Sequence, residues 1–207
     1  AQSGALVLAL ASPIPLKGLH HLVRAAAILR GRGVRARFVI AGAGDDEAYE
    51  RWLRNEARTL GVADCIQFLG YVEDPKPLLR AATLLVLPTV EAERLQVGSE
   101  VREVRGKEGL PRSVLEAMSY ALPVVASDVG GTREQVVHGV TGLLVRPSDP
   151  EALAAALERV LGDPVWRRSA GAEARHRVQA MFSIEASSKG LAGVLKEAAG
   201  LRRGGLR

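Results

Sequence analysis

Apolar residues along the chain gather in short unbroken runs at Ala5–Ala11, Ala36–Ala41, Cys65–Leu69, Leu84–Leu87, Pro123–Ala126 and Gly142–Val145. A strand with one face in water alternates apolar and polar positions, whereas an unbroken run suits a strand covered on both faces. Between these runs, helical spacing predicts helices near 18–30, 46–60, 75–81, 111–120 and 132–137. Strands alternating with helices in this way specify a parallel sheet with helices on both faces. Three further helices are expected near 149–161, 163–180 and 184–199, with Asp149-Pro150 and Asp163-Pro164 marking two of their starts. The pattern is that of an α/β protein, a doubly wound parallel sheet of six strands with a helical C-terminal tail. We read residues 1–207 as one domain, with its core at 5–165 and the tail at 166–207.

The segment from Thr89 to Lys107 breaks this rhythm. It carries little apolar content, and Glu91, Glu93, Glu100 and Glu103 balance Arg94, Arg102, Arg105 and Lys107. Long connections inside a compact domain are functional or disordered. This one leaves the carboxyl end of a strand, where open α/β sheets place ligands. A mobile lid and an unstructured insertion are the two expectations.

Composition narrows the partners. Aromatic residues make up only 4% of the chain, too few for a base-stacking platform, and no nucleic-acid motif is present. Cys65 is the single cysteine, which rules out an internal disulfide, suits a reducing compartment, and reads as a small core residue in its apolar run. The net charge of +5 is partly clustered, at Arg30, Arg32, Arg35 and Arg37 and again at Arg202, Arg203 and Arg207. The first cluster follows a helix end, where cations are favoured, so a solvated face accounts for it. An anionic partner, membrane lipid or a phosphorylated substrate, is the sharper reading and implies peripheral membrane contact. No stretch approaches the roughly 20 apolar residues of a membrane span, and no signal peptide is visible. A cytoplasmic location, with the inner membrane face as its extreme, is the expectation. His20 and His21 are neighbours on a helix and should face different directions, while His138 and His176 stand alone; no metal site is expected.

The densest chemistry lies in Glu108-Gly109-Leu110-Pro111-Arg112-Ser113-Val114-Leu115-Glu116. Pro111 suits the first turn of a helix and Gly109 permits close approach of a ligand. Free N–H groups at that helix start form an anion site without side-chain help. Glu116 lies about 7–8 Å further along the axis at ~1.5 Å per residue. A diphosphate at the helix start would put a ribose near Glu116 and a sugar near Glu108. An exposed glutamate pair around an ordinary helix start would look the same.

The run Glu108 to Glu116 resembles the E-x7-E motif of the retaining glycosyltransferases of family 4, which have the two-domain GT-B fold. The likeness extends in order through Lys17-Gly18, Phe38 to Gly44, Phe68 to Val72, Val86 to Thr89, Pro123 to Glu134 and Gly139 to Val145. It implies a Rossmann-like domain, the C-terminal nucleotide-sugar-binding half, with an N-terminal acceptor domain outside this chain. In the roles it implies, Lys17 neutralises the diphosphate of a nucleoside diphosphate sugar and the N–H groups from Leu110 to Ser113 cradle it. Glu116 holds the ribose, the backbone near Val72 meets the base and Glu108 contacts the donor sugar. Gly42 and Gly44 let the backbone pass close to the nucleotide, although a tight strand-to-helix turn explains them equally.

The implied activity is sugar transfer with retention, hexosyltransferase-like and of the polysaccharide-biosynthesis kind. No cofactor is permanently bound and no metal is required. The acceptor would be a glycan or lipid-linked glycan. The sequence departs from the family where Ser12 replaces an arginine expected before the lysine, a second cation on the diphosphate. Arg112 is the nearest substitute, and a non-catalytic nucleotide-sugar-binding subunit is the alternative function.

Overall fold

The computed structural model describes residues 4–204. The predicted runs become β1 (Ala5–Leu10), β2 (Ala36–Ala41), β3 (Ile66–Gly70), β4 (Leu84–Leu87), β7 (Val124–Ser127) and β8 (Gly142–Val145), within one residue of their expected ends. They form one parallel sheet in the order β3-β2-β1-β4-β7-β8. All of β4 and β7 and the middle of β1 are buried, as their unbroken apolar character requires.

The helices are α1 (Leu19–Gly31), α2 (Glu47–Thr59), α3 (Lys76–Ala81), α4 (Arg112–Ser119), α5 (Thr132–Gln135), α6 (Pro150–Gly162), α7 (Pro164–Met181) and α8 (Ile184–Gly204). Their starts follow from capping chemistry. The Asp149 carboxylate accepts from the Ala152 N–H at 2.9 Å, and Asp163 accepts from Val165 and Trp166 at 3.1 and 2.9 Å. Pro111 stands one position earlier than expected, as the extended residue before α4 rather than its first helical one. Its fixed φ serves either place. α1 packs against α2 and α6, and α4 against α7. In that last contact a Cβ at Gly171 would lie 2.0 Å from the Ala121 carbonyl oxygen, so only glycine lets α7 approach.

Thr89 to Lys107 is neither a lid nor an unstructured insertion. It folds as an antiparallel hairpin of β5 (Ala92–Val97) and β6 (Glu100–Arg105), turning at Gly98 with φ +61°. Leu95, Val97 and Val104 are buried in the main core. The alternation is that of a half-buried strand, but Glu93 and Arg102 occupy inward positions where apolar residues would have announced it. Each inward charge has a partner: Arg102 pairs with Asp46, the cap of α2, and Glu93 meets the histidines of α1. The lid expectation is replaced by a packed element.

The first arginine cluster is partly neutralised within the fold. Arg30 pairs with Asp64, and Arg32 with Glu151 and Glu158. The terminal cluster at Arg202, Arg203 and Arg207 lies outside the residues whose side chains are described. No helix among the described residues is long and apolar enough to cross a membrane. Cys65 is half-buried against the core, its thiol donating to the Val62 carbonyl at 3.2 Å, and burial raises its pKa.

Candidate functional site

The sheet order reverses between β1 and β4, and in open α/β sheets a crevice forms outside the strand ends at such a point. β1 leads through Ser12 into a short 3-10 turn at Pro15–Lys17, and β4 leads into Thr89. Gly18 follows Lys17 at φ +62°, and a Cβ there would sit 2.0 Å from the Pro88 carbonyl oxygen. Glycine therefore draws the two strand exits together. Lys17 Nζ donates to Glu108 Oε2 at 2.7 Å across 91 residues of sequence, and the buried Thr89 hydroxyl donates to the same oxygen at 3.0 Å. Two of the residues singled out in the sequence thus meet in an ion pair that is only partly exposed.

The backbone beneath this pair is fixed by the turn at Gly130-Gly131. The Gly131 N–H donates to the Glu108 carbonyl at 3.2 Å, and Cβ atoms at Gly130 and Gly131 would strike the carbonyls of Glu108 and Gly109 at 2.1 and 2.0 Å. Gly109 faces open space, Leu110 is exposed and Ser113 is half-buried. No side chain caps α4, which leaves its first N–H groups to an incoming acceptor. The buried Gln135 donates from Nε2 to the Pro111 carbonyl at 3.2 Å, while its Oε1 has no partner. Glu116 lies further along α4, 40% exposed, with Arg112 3.8 Å away. Arg112 is itself 91% exposed.

Gly42 and Gly44 abut the exit of β1. At φ +153° a Cβ on Gly42 would meet the Ala11 carbonyl oxygen at 2.4 Å, and one on Gly44 would meet Pro13 Cδ at 3.2 Å. Contact with the chain itself therefore requires glycine at position 42, whereas at Gly44 the crowding is mild. Val72 is half-buried beyond the end of β3, the edge strand two places from β1.

Sequence reading passed over a second cluster. His20 and His21 do not diverge, because Glu93 reaches inward from β5 and both imidazoles turn to it; their ring centres lie 4.1 Å apart. His20 Nε2 is 3.3 Å from each Glu93 carboxylate oxygen, and His21 Nε2 is 2.9 Å from Oε2. The Ser148 hydroxyl donates to Oε2 at 3.2 Å, and His20 Nδ1 contacts the buried Tyr49 hydroxyl at 2.8 Å. His21 Nδ1 is buried without a partner. Burial lowers the His20 pKa against the pull of Glu93. Burial works to raise that of Glu93, but the hydrogen bonds from His20 and His21 prevail and hold it far below the usual carboxylate range. Among the described residues this is the group whose donor set could hold a metal ion. An adjacent pair such as His20-His21 gives no ligand spacing in a sequence, and its partner lies more than seventy residues away.

A six-stranded parallel sheet in this order, with a lysine and a carboxylate brought together at its switch point, places the chain among Rossmann-like α/β domains of the GT-B kind. Residues 5–163 match the family model described as glycosyl transferases group 1, and the chain belongs to that family. It is 33% identical over 182 residues to an uncharacterised glycosyltransferase of Methanocaldococcus jannaschii, covering 87% of this chain and 42% of that one. It is 31% identical over 189 residues to a lipopolysaccharide core biosynthesis mannosyltransferase of Rhizobium leguminosarum, covering 90% and 49%. The chain thus spans less than half the length of these curated relatives. The structure of Anabaena HepE in complex with UDP superposes with a TM-score of 0.80 at 24% identity, over 94% of this chain and 49% of that one, a likeness of fold.

Proposed function

We propose that this chain binds a nucleoside diphosphate sugar and forms the donor half of an enzyme that transfers the sugar to an acceptor with retention. The observation that carries the proposal is the Lys17–Glu108 pair at 2.7 Å, set at the switch point beside the uncapped start of α4. A diphosphate there gains a cation and free backbone donors together. Glu116, open to solvent on the same helix, reaches the ribose hydroxyls, and Glu108, before the helix, reaches the sugar. Val72 lies where the backbone beyond β3 could meet the base.

The bond that breaks joins the sugar C1 to the phosphate oxygen, and its electron pair passes to the departing diphosphate. Lys17 and the N–H groups of α4 stabilise the growing negative charge, so the transfer chemistry itself calls for no metal. Ser12 leaves the diphosphate without the second cation that the family resemblance would place there. The acceptor, a glycan or lipid-linked glycan, would be gripped by a domain outside these residues. The mannosyltransferase relative, named for lipopolysaccharide core biosynthesis, supports an acceptor of that class.

Isothermal calorimetry with UDP and GDP tests the donor site. One of them should bind, and Lys17→Ala should weaken it at least tenfold. Binding of neither nucleotide, or equal affinity in the variant, would remove Lys17 from a nucleotide site.

A further inference from the structure

We propose that His20, His21 and Glu93 form a binding site for a divalent transition-metal ion of the zinc class, which fastens the β5–β6 hairpin to α1. Three donors converge from two elements that are remote in sequence, and their ligand atoms all lie within 4.8 Å of one another. The separations suit an ion. Tetrahedral zinc with bonds of roughly 2.0–2.2 Å places neighbouring ligand atoms about 3.3–3.5 Å apart. His20 Nε2 stands 3.3 Å from both Glu93 oxygens, longer than the usual N–H···O distance and close to that tetrahedral edge. His21 Nε2, at 2.9 Å from Oε2, would need to move only a few tenths of an ångström.

The surroundings are those of a metal centre. His20 Nδ1 lies 2.8 Å from the Tyr49 hydroxyl, a partner that would orient the ring and leave Nε2 free to ligate. Ser148 Oγ donates to Glu93 Oε2 at 3.2 Å and would orient that carboxylate, while a water would complete the four-coordinate shell. Two imidazoles and one carboxylate favour zinc, cobalt or iron(II) over magnesium or calcium, which prefer oxygen ligands throughout. Both histidines are buried, so the ion would sit in the protein rather than on it. Its role is structural: it joins α1, the helix that follows Lys17, to the hairpin that precedes Glu108. The proposal does not depend on the donor reading, because it concerns no nucleotide contact.

The test begins with the chain stripped of metal by a chelator and titrated with Co2+. The wild type should develop the visible absorption of four-coordinate cobalt, which Zn2+ abolishes by competition. Saturating Zn2+ should raise the melting midpoint by roughly 10 °C when the ion is about a thousandfold above its dissociation constant. Amides of β5 should then exchange more slowly. Glu93→Gln preserves size but exchanges one carboxylate oxygen for an N–H donor, and should weaken cobalt at least a hundredfold and abolish the slowing in β5. Tyr49→Phe leaves every ligand in place and should weaken binding about 10–100-fold. Absence of cobalt absorption and of any zinc-dependent shift in the wild type would overturn the site. Wild-type affinity in Glu93→Gln would do so equally, since it would put the ion elsewhere.

Discussion

Glu108 and Glu116 belong to one motif but occupy different environments. Glu108 is 11% exposed and held by Lys17 and Thr89, whereas Glu116 is 40% exposed with one long contact to Arg112. Glu116 therefore contributes little to folding, which leaves its carboxylate free for a ligand. Glu116→Ala is expected to weaken nucleoside diphosphate binding by about 1–3 kcal/mol, the range for a lost charge-assisted hydrogen bond. Its unfolding free energy in urea should stay within the roughly ±0.5 kcal/mol of an ordinary surface substitution. Calorimetry that finds the affinity unchanged would exclude the ribose contact. The pairing of Lys17 with Glu108 was legible in the sequence only through the family resemblance, because no local rule links residues 91 apart. The histidine pair was not legible at all. Helix geometry sends neighbouring side chains apart, and the residue that reunites these two arrives from a strand that the pattern concealed.

Among the elements, the parallel strands were readable because burial on both faces leaves continuous apolar runs, and the helices because Asp149 and Asp163 cap where a capping residue belongs. The hairpin was unreadable because Glu93 and Arg102 stand at inward positions. Its packing makes a sharp expectation. Leu95→Ala, at a site 3% exposed, should destabilise the protein by about 2–5 kcal/mol, whereas Gln96→Ala on the outer face should be nearly silent. Equal denaturation curves for the two variants would mean that the hairpin is not part of the core. Asp46 supplies a second test, since it caps α2 and pairs with Arg102 of β6. Partial burial works to raise its pKa, but the hydrogen bonds from Arg102 and the Tyr49 N–H outweigh that and lower it from 3.8. A depressed carboxylate contributes its full stability above the unfolded value and loses it as pH falls through the folded one. The stability gap between wild type and Asp46→Asn should thus be constant near neutrality and shrink below pH ~4, as urea unfolding across that range would reveal. A gap that persists to lower pH would assign the effect to geometry rather than charge.

At the scale of the molecule, Lys17 and Glu108 meet beyond the carboxyl ends of the central strands β1 and β4, with the start of α4 following Glu108. An acceptor needs a second wall. Positioning two reactants can remove about 7–11 kcal/mol from a barrier, and under the proposed function this chain positions only the donor. This chain is therefore expected to bind its nucleotide sugar and to transfer no sugar, with slow hydrolysis of the donor the most that water can achieve. An assay with matched donor and acceptor, run on this chain and on the chain joined to an acceptor domain, distinguishes the cases. Full transfer by the chain alone would place the acceptor site within these residues. The base of the hairpin carries one further consequence. The Gly106 N–H donates to the Glu91 carbonyl at 3.0 Å, so the hairpin opens and closes at a single point of the domain. Such a segment is a cassette with its own closed joint. Leu95, Val97 and Val104 hold its strands in the core, so only the exposed tip at Gly98-Ser99 is open to insertion, and that tip is where a designer would splice a reporter module to sense donor occupancy.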